Sequence, residues 1–315
     1  MRGRGSHRAD GQPDSCGFQP CCNAIVNRQS SSTKSSGFTL IELLVVIAII
    51  ALLMAVLIPG LQSARRQAKA MVCQSRLRQW GMALTAYTED HGGRFPTQGH
   101  GLWLLRGAYL SGKDANEPQD SFHHFHTRDI AYCPMATRPP ANVDPMTGRT
   151  TAYSFAQGQG RHGSAFAAWE LTIPAPVFQG SYGFNDWLFF GFSVNRSLNS
   201  DRRASYPDLL SLRGRPAIPV LLDAKFAWCS ARPTEEAPPP GPDGPYGPGM
   251  NSVCMSRHGG SVNGLFLDWS VRPVGLKELW TLKWYRESDT AGRWTKAGGV
   301  KPQDWPKWMR GFKDY

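Results

Sequence analysis

Hydrophobic positions along the chain change their spacing twice. Residues 38–58 read FTLIELLVVIAIIALLMAVLI, interrupted only by Thr39 and Glu42. At about 1.5 Å of rise per residue, a helix of this length crosses a hydrocarbon core. After Pro59 the apolar positions thin to helical spacing at Leu61, Ala64, Ala68, Val72, Cys73, Leu77, Trp80, Leu84 and Tyr87, with Gln, Arg and Lys between them. That is the signature of an amphipathic helix with one buried face. Gly92-Gly93 supplies a stop, so both stretches predict one long helix with a kink expected at Pro59.

Beyond Phe95 the periodicity shortens. Apolar or alternating runs at 181–192, 218–228, 252–257 and 264–271 predict antiparallel strands. Pro and Gly take ten of the fourteen positions from 237 to 250, which makes that stretch a loop inside a domain. Residues 276–286 return to near-helical spacing and predict a short closing helix, with Trp280 and Trp294 at its surface. The expected fold class is α+β: a long N-terminal helix packed on an antiparallel sheet with loop-rich insertions.

The residues around the apolar run decide how to read it. It is followed by Pro59-Gly60 and a polar helical pattern, with no small-residue cleavage site at its far end, so the segment is expected to remain as an anchor. It is preceded by Lys34-Ser35-Ser36-Gly37, and then opens Phe38-Thr39-Leu40-Ile41-Glu42. This G-F-T-L-I-E string resembles the cleavage and methylation signature of type IV pilins and type II secretion pseudopilins. The resemblance implies a pilin-like fold. It also implies that a prepilin peptidase cuts between Gly37 and Phe38 on the cytoplasmic side and that the new amine of Phe38 is methylated. The implied organisation is a leader at 1–37, a transmembrane half-helix at 38–59, a periplasmic half-helix at 60–92 and a β-rich head at 93–315. Translation from Val26 through a GTG codon would leave the leader VNRQSSSTKSSG, of more usual length.

Glu42 is the one charge in the span, where a carboxylate costs a few kcal/mol on insertion scales and is retained for a purpose. Near the interface it can snorkel; the resemblance implies instead that it pairs with the Phe38 amine of an adjacent subunit and sets the register of assembly. Arg65, Arg66, Lys69, Arg76 and Arg78 beyond the span outnumber Arg28 and Lys34 before it, which by charge counting alone would place the C-terminal part in the cytoplasm. The cleavage string requires its leader to face inward, and large domains translocate despite local charge.

Other segments carry the same resemblance. Residues 72–96, VCQSRLRQWGMALTAYTEDHGGRFP, resemble a subgroup of these proteins; Arg76 stands where Asn is common, a change expected to be superficial. Residues 257–269 resemble a C-terminal motif in which a His is followed after nine residues by Asp-Gly. His258 and Asp268 match it and Trp269 replaces the Gly. The segment reads as a hairpin with Gly259-Gly260 near the turn and Leu265 and Leu267 on one strand face. Residues 132–134, 181–185 and 276–286 also look like pieces of this group.

Composition narrows the chemistry. A chain of 315 residues with 41% hydrophobic content buries a substantial core. Of the formal +11 charge, residues 1–37 hold five basic and two acidic side chains, leaving +8 spread along the rest. Scattered cations indicate a solvated surface, with no basic stripe for nucleic acid. Cys16, Cys21 and Cys22 fall in the leader; Cys73, Cys133, Cys229 and Cys254 remain, with no C-x-x-C pair among them. Disulfides in an oxidising compartment are the expected use. Three connectivities are open, and Cys229–Cys254, flanking the 237–250 loop, is preferred.

Nucleophile elbows, H-E-x-x-H, phosphate loops and dinucleotide glycine fingerprints do not occur in a credible setting. A His258–Asp268 acid–base pair is outweighed by a structural role for His258 at its turn. His123, His124 and His126 in FHHFH lack a Cys or carboxylate to complete a metal set, and no D-x-D-x-D run marks a calcium loop. The expectation is therefore a structural subunit with no catalytic residues, cofactor or metal. Its partners are other pilin-like subunits, prepilin peptidase, inner-membrane assembly machinery and the bilayer. It would sit single-pass in a bacterial inner membrane with a periplasmic head, or on the surface once assembled. Two alternatives stay open: a surface-displayed carbohydrate binder using some of its eleven Trp, and a DNA-uptake minor pilin.

Overall fold

A computed structural model describes residues 37–95, 108–110, 122–124, 130–137, 152–155, 158–173, 177–189, 212–234, 236–243, 247 and 249–315. Residues 1–36 and His126 lie outside them. The chain divides into two compact units at Ala55/Val56.

Helix α1 covers Leu40–Asp90, with Pro59 inside it. Its first half exposes every apolar side chain and passes the length and composition test for a membrane span. Its second half buries Cys73, Leu77, Trp80, Leu84 and Tyr87, the stripe that the 3.6-residue period places on one face. The helix ends where expected. Gly92 and Gly93 both adopt left-handed φ (60° and 78°), and the Gly93 N–H caps the Thr88 carbonyl at 2.7 Å.

The stripe packs on one face of a five-stranded sheet. Its strands are β7 (Tyr182–Asn185), β8 (Pro219–Asp223), β9 (Trp228–Cys229), β10 (Ser261–Phe266) and β11 (Val271–Gly275), in the order β11-β10-β8-β7-β9. Neighbours are antiparallel except β7 and β9, which run parallel, so the expected all-antiparallel sheet gains a short parallel edge. A four-stranded antiparallel sheet is formed by β3 (Ala152–Phe155), β4 (Gly158–Arg161), β5 (Trp169–Ile173) and β6 (Phe178–Gly180). The strands β1 (Ala108–Leu110) and β2 (Phe122–His124) pair separately.

Alternation along β10 assigns its side chains to two cores. Leu265, with Leu267 just beyond the strand, joins the core under α1, together with Trp80, Phe184 and Val220. Val262 and Phe266 join the opposite core with Met250, Val253, Trp280, Trp284, Trp294 and Trp305. Gly81 allows the close approach of α1 to this sheet: a Cβ there would lie 3.1 Å from Leu265 Cδ1.

Several expectations are corrected. Trp280 and Trp294 are not on the surface but fill the second core, because 276–315 wraps the far face of the sheet. Residues 276–286 hold only a 3-10 turn, Lys277–Thr281. Residues 252–257 are not a strand: a single helical turn, α2 (Met250–Val253), enters from Gly249 at φ 67°, and Ser252 Oγ donates to the Gly249 carbonyl at 2.7 Å. The hairpin β10–β11 turns at 267–270, while Gly259-Gly260 form the bend before β10. Trp269 takes the left-handed conformation (φ 65°) that the motif's Gly would occupy, and its N–H still closes the turn on the Phe266 carbonyl at 2.8 Å.

Candidate functional site

Two places carry chemistry. The first is the start of α1. Gly37, Phe38 and Thr39 are exposed and precede the helix. Thr39 and Glu42 make a reciprocal capping box: the Thr39 N–H and hydroxyl each donate to Glu42 Oε2 at 2.8 Å, and the Glu42 N–H donates to Thr39 Oγ1 at 3.2 Å. Glu42 therefore already has a role within one chain. It holds a carboxylate at the positive end of the helix, one turn from the bond that follows Gly37.

The second place lies inside the head, where four segments converge. Cys73 arrives on α1, Cys133 on the turn 130–136, Asp223 at the end of β8, and Arg257 and His258 in the bend before β10. Each position is fixed by backbone-directed contacts. Trp80 Nε1 donates to the Ile130 carbonyl at 2.9 Å, the Ser181 N–H to the Ala131 carbonyl at 3.0 Å, and the Cys133 N–H to Ser181 Oγ at 2.6 Å. Arg76, expected to be superficial, donates to the Tyr132 carbonyl and lies over the Tyr132 ring at 5.2 Å, so it clamps the same turn to α1.

Asp223 is fully buried and receives Arg257 Nη1 on Oδ1 at 2.8 Å, and the Asn263 N–H at 2.8 Å and His258 Nε2 at 3.1 Å on Oδ2. Arg257, equally buried, also donates to the carbonyls of Ala165, Ser164, Ser181 and Ala224. Cys133 Sγ lies 3.3 Å from His258 Nε2; Cys73 Sγ lies 3.8 Å from both Asp223 oxygens and accepts the Tyr182 hydroxyl at 3.2 Å.

Burial opposes every charge here, and the partners decide the outcome. Burial pushes the Asp223 carboxyl up, but Arg257, His258 and the Asn263 N–H bring it down to about 2. Burial pushes Cys133 up too, yet its hydrogen bond with Cys73, together with His258 and Arg257, brings the thiol down to about 6. Burial pushes His258 down, and Asp223 and Cys133 raise it to about 9. Cys73 is raised well above an ordinary thiol, by burial first. The result is a desolvated, hydrogen-bonded cluster of one guanidinium, one imidazole, one carboxylate and two sulfurs.

The structure thus brings together Cys73, Cys133 and His258, but not His258 and Asp268: Asp268 is exposed and caps the hairpin turn through Ser270. Cys229 and Cys254 lie in the second core, and the four cysteines among the described residues are free thiols. Burial pushes the Cys254 thiol up to about 12. Sequence reasoning missed Asp223, Arg257 and Tyr182. The available signal was a charged residue closing the apolar run Ile218–Asp223, next to an Arg-His pair at 257–258.

Comparison with known proteins supports the N-terminal reading. Residues 32–58 match the prokaryotic N-terminal methylation motif. A 44-residue stretch is 60% identical to the type IV wide pilus major component PilA4 of Thermus thermophilus, covering 14% of this chain and 34% of the relative. The chain therefore spans about a third of the length of that curated relative. No solved structure matches.

Proposed function

We propose that this chain is a pilin-like filament subunit, trimmed after Gly37 by a prepilin peptidase and assembled through α1 with other subunits into a pseudopilus or type IV pilus-like fibre. The observation that carries this reading is the placement of G-F-T-L-I-E at the head of a fully exposed apolar helix that continues into the head's core. An exposed surface of this kind requires lipid or other apolar helices around it. In a fibre the Glu42 carboxylate faces the Phe38 amine of the next subunit, replacing a hydration shell that neither charge retains in lipid. Before assembly the span holds the chain in the inner membrane with the head outside the cytoplasm. The match to PilA4 supports this role in the anchor, and the work is assembly, not catalysis.

The decisive experiment is N-terminal sequencing and intact-mass analysis of the membrane-extracted chain. The expected mature protein begins with N-methylated Phe38. Glu42→Ala is expected to be cleaved normally but to fail to enter sheared filament fractions. A mature chain that starts elsewhere, or a Glu42→Ala chain that assembles at parental levels, would refute the proposal.

A further inference from the structure

The buried cluster in the head has more donors than a packing role needs, and their geometry is specific. Among the described residues, Cys73, Cys133, Asp223 and His258 each offer one ligand atom, and all four atoms lie within 4.8 Å of one another. A tetrahedral zinc site with metal–sulfur bonds of about 2.3 Å and metal–nitrogen or metal–oxygen bonds of about 2.0–2.1 Å has edges of roughly 3.3–3.8 Å. The edges here are 3.8 Å from Cys73 Sγ to Asp223, 3.3 Å from Cys133 Sγ to His258 Nε2 and 3.1 Å from His258 Nε2 to Asp223 Oδ2. These three edges lie within a few tenths of an ångström of tetrahedral values, and no other edge exceeds 4.8 Å.

The surroundings fit as well. Each sulfur faces a hydrogen-bond donor, the Tyr182 hydroxyl on Cys73 at 3.2 Å and the Met135 N–H on Cys133 at 3.4 Å, and the Asn263 N–H orients the carboxylate at 2.8 Å. Such outer partners are what orient and tune metal ligands. A divalent ion held by two thiolates and one carboxylate leaves a single negative charge in excess, and the fully buried Arg257 neutralises it. A cleft of about 370 Å³, lined by Arg66, Gln67, Met135, Arg257 and His258, adjoins the cluster.

We propose that Cys73, Cys133, Asp223 and His258 form a structural zinc site. Binding makes bonds from the ion to the two Sγ atoms, to His258 Nε2 and to one Asp223 oxygen, and the protons those groups carry leave to solvent. No open coordination position is required, so the ion is a cross-link rather than a catalyst. It ties α1, the 130–136 turn, β8 and the bend before β10 at one point.

The test uses the full-length chain, extracted in detergent and freed of adventitious metal by desalting. Elemental analysis is expected to find about one zinc per chain, as a closed four-ligand site holds. Exchange with Co²⁺ is expected to give a thiolate-to-cobalt charge-transfer band and the intense visible bands of a tetrahedral centre. Cys133→Ser and His258→Gln should each abolish stoichiometric metal, whereas Cys254→Ala, in the second core, should retain it. If a variant fails to fold, the parent chain alone decides, through Co²⁺ titration after stripping with chelator. Metal at background level with a featureless cobalt spectrum overturns the proposal, as does recovery of Cys73 and Cys133 in one disulfide-linked peptide. None of these readouts depends on N-terminal processing, so the zinc site and the filament role fail separately.

Discussion

Replacing Arg257 with Met removes a buried cation with five hydrogen-bond acceptors around it while keeping most of its aliphatic volume. The guanidinium donates to the Ala165 carbonyl at 2.7 Å, to the Ser181 carbonyl and Asp223 Oδ1 at 2.8 Å, and to the carbonyls of Ser164 and Ala224 at 3.0 and 3.3 Å. Breaking a buried pair by removing one partner costs about 3–5 kcal/mol, because the other charge stays desolvated. In a domain of this size, 1 kcal/mol moves the melting midpoint by roughly 2–4 °C, so Arg257→Met should melt about 6–20 °C below the parent. The assay is thermal unfolding of the detergent-extracted full-length chain followed by tryptophan fluorescence, with the buried Trp80 and Trp169 as reporters. Arg257→Lys, which keeps a charge near Asp223 but cannot reach four carbonyls at once, should fall between the two. A melt of Arg257→Met within about 2 °C of the parent would show that the Arg257–Asp223 pair contributes no appreciable stability, contrary to the cost of breaking a buried pair.

Further outcomes follow from single positions. Gly180→Ala places a Cβ 2.4 Å from Trp169 Cζ2 and should cost about 1–3 kcal/mol by overpacking, read as a lower urea midpoint. Gly81→Ala meets only the side-chain tip of Leu265 and gains helix propensity, so its unfolding free energy should stay within about 1 kcal/mol of the parent; a larger loss would mean that α1 cannot shift on the sheet. At Trp269, the Ala variant loses the ring yet keeps the left-handed strain, so it should be less stable than the Gly variant by about 1 kcal/mol, and the reverse order would contradict the turn geometry.

What the sequence disclosed was local. The apolar run, its helical continuation and the Gly92-Gly93 stop were legible because periodicity and capping act over a few residues. So was β8, whose apolar run begins at Ile218. Strand β4 was not: Gly158–Arg161 reads GQGR, with no alternation to detect, and it exists because β3 and β5 pair with it on either side. Residues 252–257 imitate a strand because Val253, Cys254 and Met255 are buried on every side, whatever their backbone does. The tryptophans of the last segment give no period because that segment covers the sheet with short 3-10 turns joined by irregular chain. The buried cluster was legible only in pieces. Its four donors are separated by 60, 90 and 35 residues, and neither helical nor strand spacing says which distant residues will meet.

Those separations also set the order in which the head can form. Cys73 meets Asp223 across 150 residues, and Gln74 meets Asn263 across 189. At ribosomal rates of about 5–20 residues per second, the inner stripe of the helix waits roughly 10–40 s for the strand that covers it. Its apolar side chains stay available to other surfaces throughout that interval. The delay leaves the apolar half-helix complete long before the domain it anchors, and makes closure of the head a late kinetic event.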